Sequence, residues 1–484
     1  MSKANLFART SPEAQGVSST AILDFIDSVE AAGIEMHSLM LLRHGSVVAE
    51  GWWSPYAAER QHVLFSLSKS FTSTAAGLAV SEGLITLDDK VVSYFPDDLP
   101  AEVSPNLAAM RIRDLLSMST GHAEDSLSYL FRNEIKIWER GFLGLAVEFE
   151  PGTHFVYNSG ATYMVASILH KVTGMSMTNY LKPRLFEPLG IVDPWWETSP
   201  TGVDVGGWGL NIRTEDIAKF GQLYLKKGQW KGSQVVPEAW IDQATSLQIS
   251  NGPDPENDWN QGYGFQFWRC RHNAYRGDGA FGQFCVVMPD QDAVFAATGG
   301  SGDMGGVLNR FWENVLASMS TGPLPENEEA HRRLQTRLAS LGLPIVDGRA
   351  TSPIEDTISG KTFHLDENKD GWTSVTLTFI DGACDIEIDY GRGIHSIPIA
   401  GQEWSEVTVD VSAADVWEPY PCAVSGAWTE PRTYTAKLVG YLTPFTSTFV
   451  FRFDDAGTLT FDRRINVAFG PTERPTLTGR LRPE

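Results

Sequence analysis

Val63-Leu64-Phe65-Ser66-Leu67-Ser68-Lys69-Ser70-Phe71-Thr72-Ser73-Thr74-Ala75-Ala76-Gly77-Leu78-Ala79 leads from a short apolar run into a helical pattern that stops near Gly83. Leu67, Phe71, Ala75, Leu78 and Ala79 recur at the three- and four-residue spacing of one buried helix face. Ser66 and Lys69, three residues apart, share a face one turn apart. A Ser hydroxyl is a weak nucleophile until a base removes its proton, and a desolvated Lys is neutral enough to be that base. The positive end of a helix favours negative charge developing beside Ser66. The spacing alone arises by chance about once or twice in a chain of this length. The alternative is a polar first turn in which Ser66 or Ser68 caps the helix and Lys69 is solvated.

On either side of this stretch, helix and strand signals alternate. Residues 21–29 carry helical spacing and end at Gly33, and Ser38–Arg43 and Val47–Trp53 read as a hairpin about His44-Gly45-Ser46. A capped helix starts at Thr214 and closes at Lys226-Lys227-Gly228; a strand pair spans Phe284–Thr298 around residues 289–292, and Val307–Met319 reads as a helix. Beyond Gly342-Leu343-Pro344 and Thr351-Ser352-Pro353, which bracket an expected linker, helical periodicity gives way to alternation, as in residues 376–379, 385–390, 448–453 and 458–461. Two domains are therefore expected, 1–345 of mixed α and β structure and 353–484 as an antiparallel β-barrel or sandwich.

The length of 484 residues and a hydrophobic share of 42% suit a globular chain of two or three folding units. With 38 Lys and Arg against 60 Asp and Glu the net charge is −22, which repels phosphate backbones and anionic lipid and excludes nucleic acid and membrane surfaces as expected partners. Met1–Arg9 holds no secretory apolar run and no stretch approaches the roughly 20 apolar residues of a membrane helix, so a cytoplasmic location is expected. Cys270, Cys285, Cys384 and Cys422 are too scattered for a zinc site and read as free, mostly buried thiols. Asp366–Gly371 copies the first half of a calcium loop, but Leu377 stands where the bidentate Glu belongs, so a polar turn is expected. His122 and His154 read as structural histidines, and no metal or organic cofactor is expected.

Two further stretches carry chemistry. Tyr157-Asn158-Ser159 precedes a helical run; a Tyr beside a Lys can have its phenol pKa depressed and shuttle a proton to a leaving group, although an isolated Tyr is more often just half-buried. Arg276-Gly277-Asp278-Gly279-Ala280-Phe281-Gly282 contains G-x-G-x-x-G yet opens a strand, so no helix dipole waits for a pyrophosphate and a dinucleotide site is rejected. Glycines beside a strand let a backbone N–H approach a ligand closely.

In this order the three motifs resemble the serine β-lactamase and penicillin-binding-protein-like hydrolases, including class C β-lactamases, esterases of that fold and 6-aminohexanoate-dimer hydrolases. Residues 112–121, Phe186-Glu187-Pro188-Leu189-Gly190 and Gly206-Gly207-Trp208-Gly209-Leu210 look similar too, so the likeness spans about residues 10 to 318. It implies an α+β domain, an antiparallel sheet flanked by helices plus a helical subdomain, followed by a lipocalin-like β-barrel. It implies that Ser66 is acylated, Lys69 activates it, Tyr157 relays protons, and the backbone N–H groups of Ser66 and Ala280 hold the oxyanion. Ser159, Asn158, Arg276 and Asp278 become substrate-binding candidates, with Asp278 facing a substrate amine. The third motif lacks Lys-Thr-Gly, which argues against efficient β-lactam turnover. The expected function is hydrolysis of a small-molecule ester or amide; the alternatives are a ligand-binding sensor of the same fold and a structural protein that assembles through its β appendage.

Overall fold

The computed structural model describes residues 7–391, 393–409 and 420–481, so most of the N-terminal segment, Met1–Leu6, lies outside the described residues. Two compact units are present. The first takes residues up to Gly51, Gln61–Gly299 and Asp303–Ala339; the second takes Trp52–Arg60, Gly300–Gly302 and residues from Ser340 onward.

The first unit is built on a seven-stranded sheet in the order Ala8–Arg9, Ser46–Trp52, Met36–Arg43, Ala293–Gly299, Gln283–Met288, Tyr275–Gly279, Trp268–Arg269. The edge strand at Ala8 runs parallel to Ser46, and the pairings from Met36 to Trp268 are antiparallel. Met36–Arg43, Gln283–Met288 and Ala293–Gly299 are buried at every position because helices cover both faces of the sheet. On one face Phe25, from the helix Ser19–Ala31, meets Phe295 edge-on at 5.8 Å, and Phe311 stacks on Phe295 at 4.3 Å. On the other, the helix Thr214–Leu225 lies against the sheet at Gly221, where a Cβ would sit 2.5 Å from Val294 Cγ1 and 2.9 Å from Cys285 Sγ. Its N-cap is Arg213 rather than Thr214, and the Asp216 carboxylate accepts from the Arg213 N–H at 3.3 Å. The helix expected over 307–319 runs as an α-helix over Met304–Arg310 and then widens into a π turn over Phe311–Val315.

The helix Ser68–Ser81 is buried along almost its whole length, between the strand Tyr275–Gly279 and the helix Ser159–Thr173, with Phe71 stacked on Phe220 at 3.9 Å.

In the second unit ten antiparallel strands form a nearly closed barrel. Thr362–Leu365, Ser374–Ile380, Ala383–Asp389 and Ile394–Ile399 make one meander, the six strands from Ser405–Val409 to Leu477–Leu481 make another, and Phe363 paired with Leu481 joins them. Alternate residues point inward: Phe451 faces Phe461 across the ladder and stacks on it at 4.4 Å, and Trp372, Trp428, Tyr434 and Phe449 fill the remaining interior. Residues 341–349 are not free spacer. Leu343 N–H donates to Ser54 O at 2.7 Å, Val346 N–H to Ser425 Oγ at 3.0 Å, and Arg349 and Trp428 exchange two backbone hydrogen bonds of 2.9 Å. Asp366–Gly371 forms a turn held by Asn368, whose Oδ1 accepts from Trp372 N–H at 3.1 Å.

Candidate active site

Ser66 stands in a one-turn 3-10 segment, Phe65–Leu67, that precedes the helix proper. Phe65 has φ +46°, a left-handed conformation that a bulky residue adopts only where its surroundings impose it. Those surroundings are visible: Leu64 N–H donates to Leu210 O at 2.8 Å, and Leu67 N–H to Leu64 O at 3.2 Å.

Neither Ser66 nor Ser68 caps the helix, and Lys69 is not solvated. With 1% exposure, Lys69 donates from Nζ to Ser66 Oγ at 3.1 Å, Ser159 Oγ at 3.2 Å and Gly207 O at 2.6 Å. All three acceptors are neutral, and among the described residues Lys69 has no ion-pair partner. Burial pushes its pKa down to about 7, against the weaker opposing pull of Asp125 and Asp278. The helix's polar first turn is tied to the 206–210 loop: Thr72 Oγ1 donates to Gly206 O at 2.8 Å and Leu210 N–H to Ser68 Oγ at 3.0 Å.

Tyr157 stacks on Trp268 with centroids 5.2 Å apart, and Lys69 Nζ lies 5.0 Å from its ring centre. The expected depression of its phenol pKa is reversed. Burial first, and Asp278 second, push it up, outweighing the interaction with the Ser66 hydroxyl, so the Tyr157 phenol stays protonated at physiological pH. Ser159 faces Lys69 as its partner. Asn158 caps the helix: it is buried, and its Oδ1 accepts from Ala161 N–H at 3.2 Å and Ser126 Oγ at 2.7 Å, while its Nδ2 has no hydrogen-bond partner among the described residues.

The strand Tyr275–Gly279 divides its residues between two faces. Gly277 and Gly279 face the nucleophile turn, where a Cβ would stand 2.5 Å from Leu67 Cδ1 and 2.0 Å from Leu64 O respectively, so only glycine permits the approach. Arg276 and Asp278 point the other way. Arg276 is 0% exposed, its Nε donating to Asp278 Oδ2 at 2.9 Å and its Nη1 to Asp258 O at 2.8 Å, with the guanidinium 4.3 Å above Trp259. Asp278 is thus ion-paired within the protein. Ala280 opens the turn closed by Gly282 N–H on Gly279 O at 3.2 Å; Phe281, at φ +70°, packs edge-on against Phe65 at 5.6 Å. The backbone segments carrying Ser66 and Ala280 are held side by side.

Several members of this surround escaped the sequence reading. Asp125 accepts from Ser159 N–H at 2.9 Å and Leu127 N–H at 3.1 Å, and nothing in its neighbourhood signals that contact across 34 positions. Gly207 lies in the family-like stretch Gly206–Leu210, which is the one sequence signal for it. Phe131, 55% exposed, meets Trp208 edge-on at 5.5 Å beside that glycine. His122 donates to or accepts from Thr120 Oγ1 at 2.9 Å and is buried. Among the described residues no group of three His, Cys, Asp or Glu side chains is arranged to hold a metal, and the four cysteines are free and buried.

The site is thus a serine within hydrogen-bond reach of a buried lysine, at the start of a helix packed against the sheet. The family model described as Beta-lactamase matches residues 25–339, and the chain belongs to that family. It is 25% identical over 285 residues to a 6-aminohexanoate-dimer hydrolase of Paenarthrobacter ureafaciens, covering 53% of this chain and 70% of that protein. A lovastatin esterase of Penicillium rubens is 27% identical over 152 residues, 27% of this chain and 38% of the esterase. The octameric penicillin-binding protein homologue from Pyrococcus abyssi superposes with a TM-score of 0.50 at 14% identity, covering 95% of this chain and 99% of that one, a likeness of fold. The family match and the two hydrolase relatives support a hydrolase. No helix among the described residues is long and apolar enough to cross a membrane.

Proposed function

We propose that the protein is a serine hydrolase that opens a small-molecule ester or amide through an acyl-enzyme on Ser66. The observation that carries the reading is Lys69 Nζ, buried and without a carboxylate partner, 3.1 Å from Ser66 Oγ. Neutral Lys69 keeps two N–H donors, for Ser159 Oγ and Gly207 O, and turns its lone pair to Ser66, accepting that proton as Oγ bonds to the substrate carbonyl carbon. The resulting oxyanion is received by the N–H groups of Ser66 and Ala280. Tyr157, a neutral phenol, gives its proton to the departing alkoxide or amine as that bond breaks, and recovers one from Lys69. Water then adds to the acyl carbon by the reverse relay, releasing the acid and restoring Ser66. Relatives that carry hydrolase and esterase names support this reading.

The test is intact-mass labelling with a fluorophosphonate, run on the wild type and Ser66→Ala with p-nitrophenyl ester turnover followed in the same samples. One adduct plus turnover in the wild type alone is the expected result. A variant that labels equally overturns the assignment of Ser66. A single adduct with no turnover of any ester or amide identifies an acylated binding protein instead.

A further inference from the structure

Two carboxylates, Asp125 and Asp278, exert their charge on Lys69, and the structure answers each of them. Asp125 Oδ1 receives the Ser159 and Leu127 N–H groups, at 2.9 and 3.1 Å. The first of these belongs to the start of a 15-residue helix, whose positive end offsets the carboxylate charge. Asp278 has no such backbone donors among the described hydrogen bonds. What it has is Arg276, two residues away on the same strand face, at 2.9 Å and wholly buried.

Asp278 is the carboxylate the guanidinium pairs with, through Nε, and Nη2 is buried without a hydrogen-bond partner among the described residues. Asp258, its other acidic neighbour, offers it only a backbone carbonyl, because the Asp258 side chain is held by Arg271 Nη2 at 2.8 Å and by Trp312 Nε1 at 2.9 Å. Trp259 and Trp268 lie 4.3 and 5.6 Å from the guanidinium carbon, and the remaining polar contact of Nη1 is the Cys270 sulfur at 2.9 Å. The other groups facing Lys69 are uncharged: Ser66 on its own turn, Ser159 and Tyr157 from the second motif, and the Gly207 carbonyl.

We propose that Arg276 is a positioning residue which, by occupying Asp278, keeps Lys69 available as a free base. The inference rests on the proposed role of Lys69 and adds a specific consequence to it. In this role the third-motif cation neutralises a carboxylate that would otherwise hold a proton on the base. An unpaired Asp278 in this low-dielectric pocket attracts a proton to Lys69, whereas an unpaired Arg276 repels one.

The experiment is the pH dependence, from pH 5 to 10, of the rate at which a fluorophosphonate adds to the full-length protein, measured for the wild type, Arg276→Met, Asp278→Asn and the double variant. The acid limb is expected to move up by about one pH unit or more in Arg276→Met and down by a similar amount in Asp278→Asn. The double variant is expected to return toward the wild type. Opposed shifts are the signature, since a purely structural defect lowers the plateau without moving the limb in opposite directions. If Arg276→Met does not fold, a downward shift in Asp278→Asn supports the inference and an unmoved or upward limb overturns it. A wild type that labels but shows no acid limb overturns the role of Lys69 and this inference together. A wild-type limb that neither single variant moves overturns this inference alone.

Discussion

Replacing Lys69 with Met should make the protein inactive and, at low pH, more stable. Lys69 falls from 10.5 in the unfolded chain to about 7 when folded. A shift of that size corresponds to about 5 kcal/mol of destabilisation, present in full below pH 7 where the folded protein must bury the ammonium. The sign follows from proton counts: between pH 7 and 10.5 the unfolded chain binds the proton that the folded chain has released, so wild-type stability rises with pH across that window. Met fills a similar volume without charge, but it leaves Gly207 O without the 2.6 Å donor, a pH-independent loss of about 1–3 kcal/mol. Lys69→Met is therefore expected to be more stable than the wild type by about 2–4 kcal/mol at pH 6 and equal or less stable at pH 10, the difference changing by about 4 kcal/mol. Urea unfolding of both full-length proteins, followed by tryptophan fluorescence at pH 6, 8 and 10, measures it. A stability difference that stays flat from pH 6 to pH 10 would refute a neutral Lys69.

Other outcomes follow from the same geometry. Ester turnover by the wild type should rise through an acid limb near pH 7, with roughly a tenth of the plateau rate at pH 6, because only neutral Lys69 accepts the Ser66 proton; a flat profile between pH 5 and 8 counts against it. Gly279→Ala, whose Cβ would stand 2.0 Å from Leu64 O, should push the strand off the nucleophile turn, lowering stability by about 1–3 kcal/mol and slowing fluorophosphonate labelling at least tenfold. Asn158→Ala should lose a helix cap worth about 1–2 kcal/mol in thermal unfolding while leaving KM close to that of the wild type. Phe451→Ala, which empties a stacked pair in the barrel interior, should lower stability by about 3–5 kcal/mol in calorimetry and leave ester turnover at low temperature unchanged.

Order and spacing along the chain already determined a good deal. Ser66 and Lys69 three residues apart, Tyr157 before a helix and the glycine-bearing strand at 276–282 can be read in one dimension, because helical and strand periods are local properties. The same locality made the hairpin at 44–46 and the alternating strands beyond 353 legible. What tertiary structure alone decided is the chemistry those residues can perform. Lys69 is buried by contacts with loop 206–210 and the helix at Ser159, 138 and 90 positions away, and that burial lowers its pKa. Tyr157 is a neutral phenol, contrary to the expectation from a nearby Lys, because desolvation acts on it before any single neighbour does. Asn158 became a cap and Arg276 the partner of Asp278 for the same reason: a motif names a side chain, but what it is free to bind depends on which groups the folded chain has already brought against it.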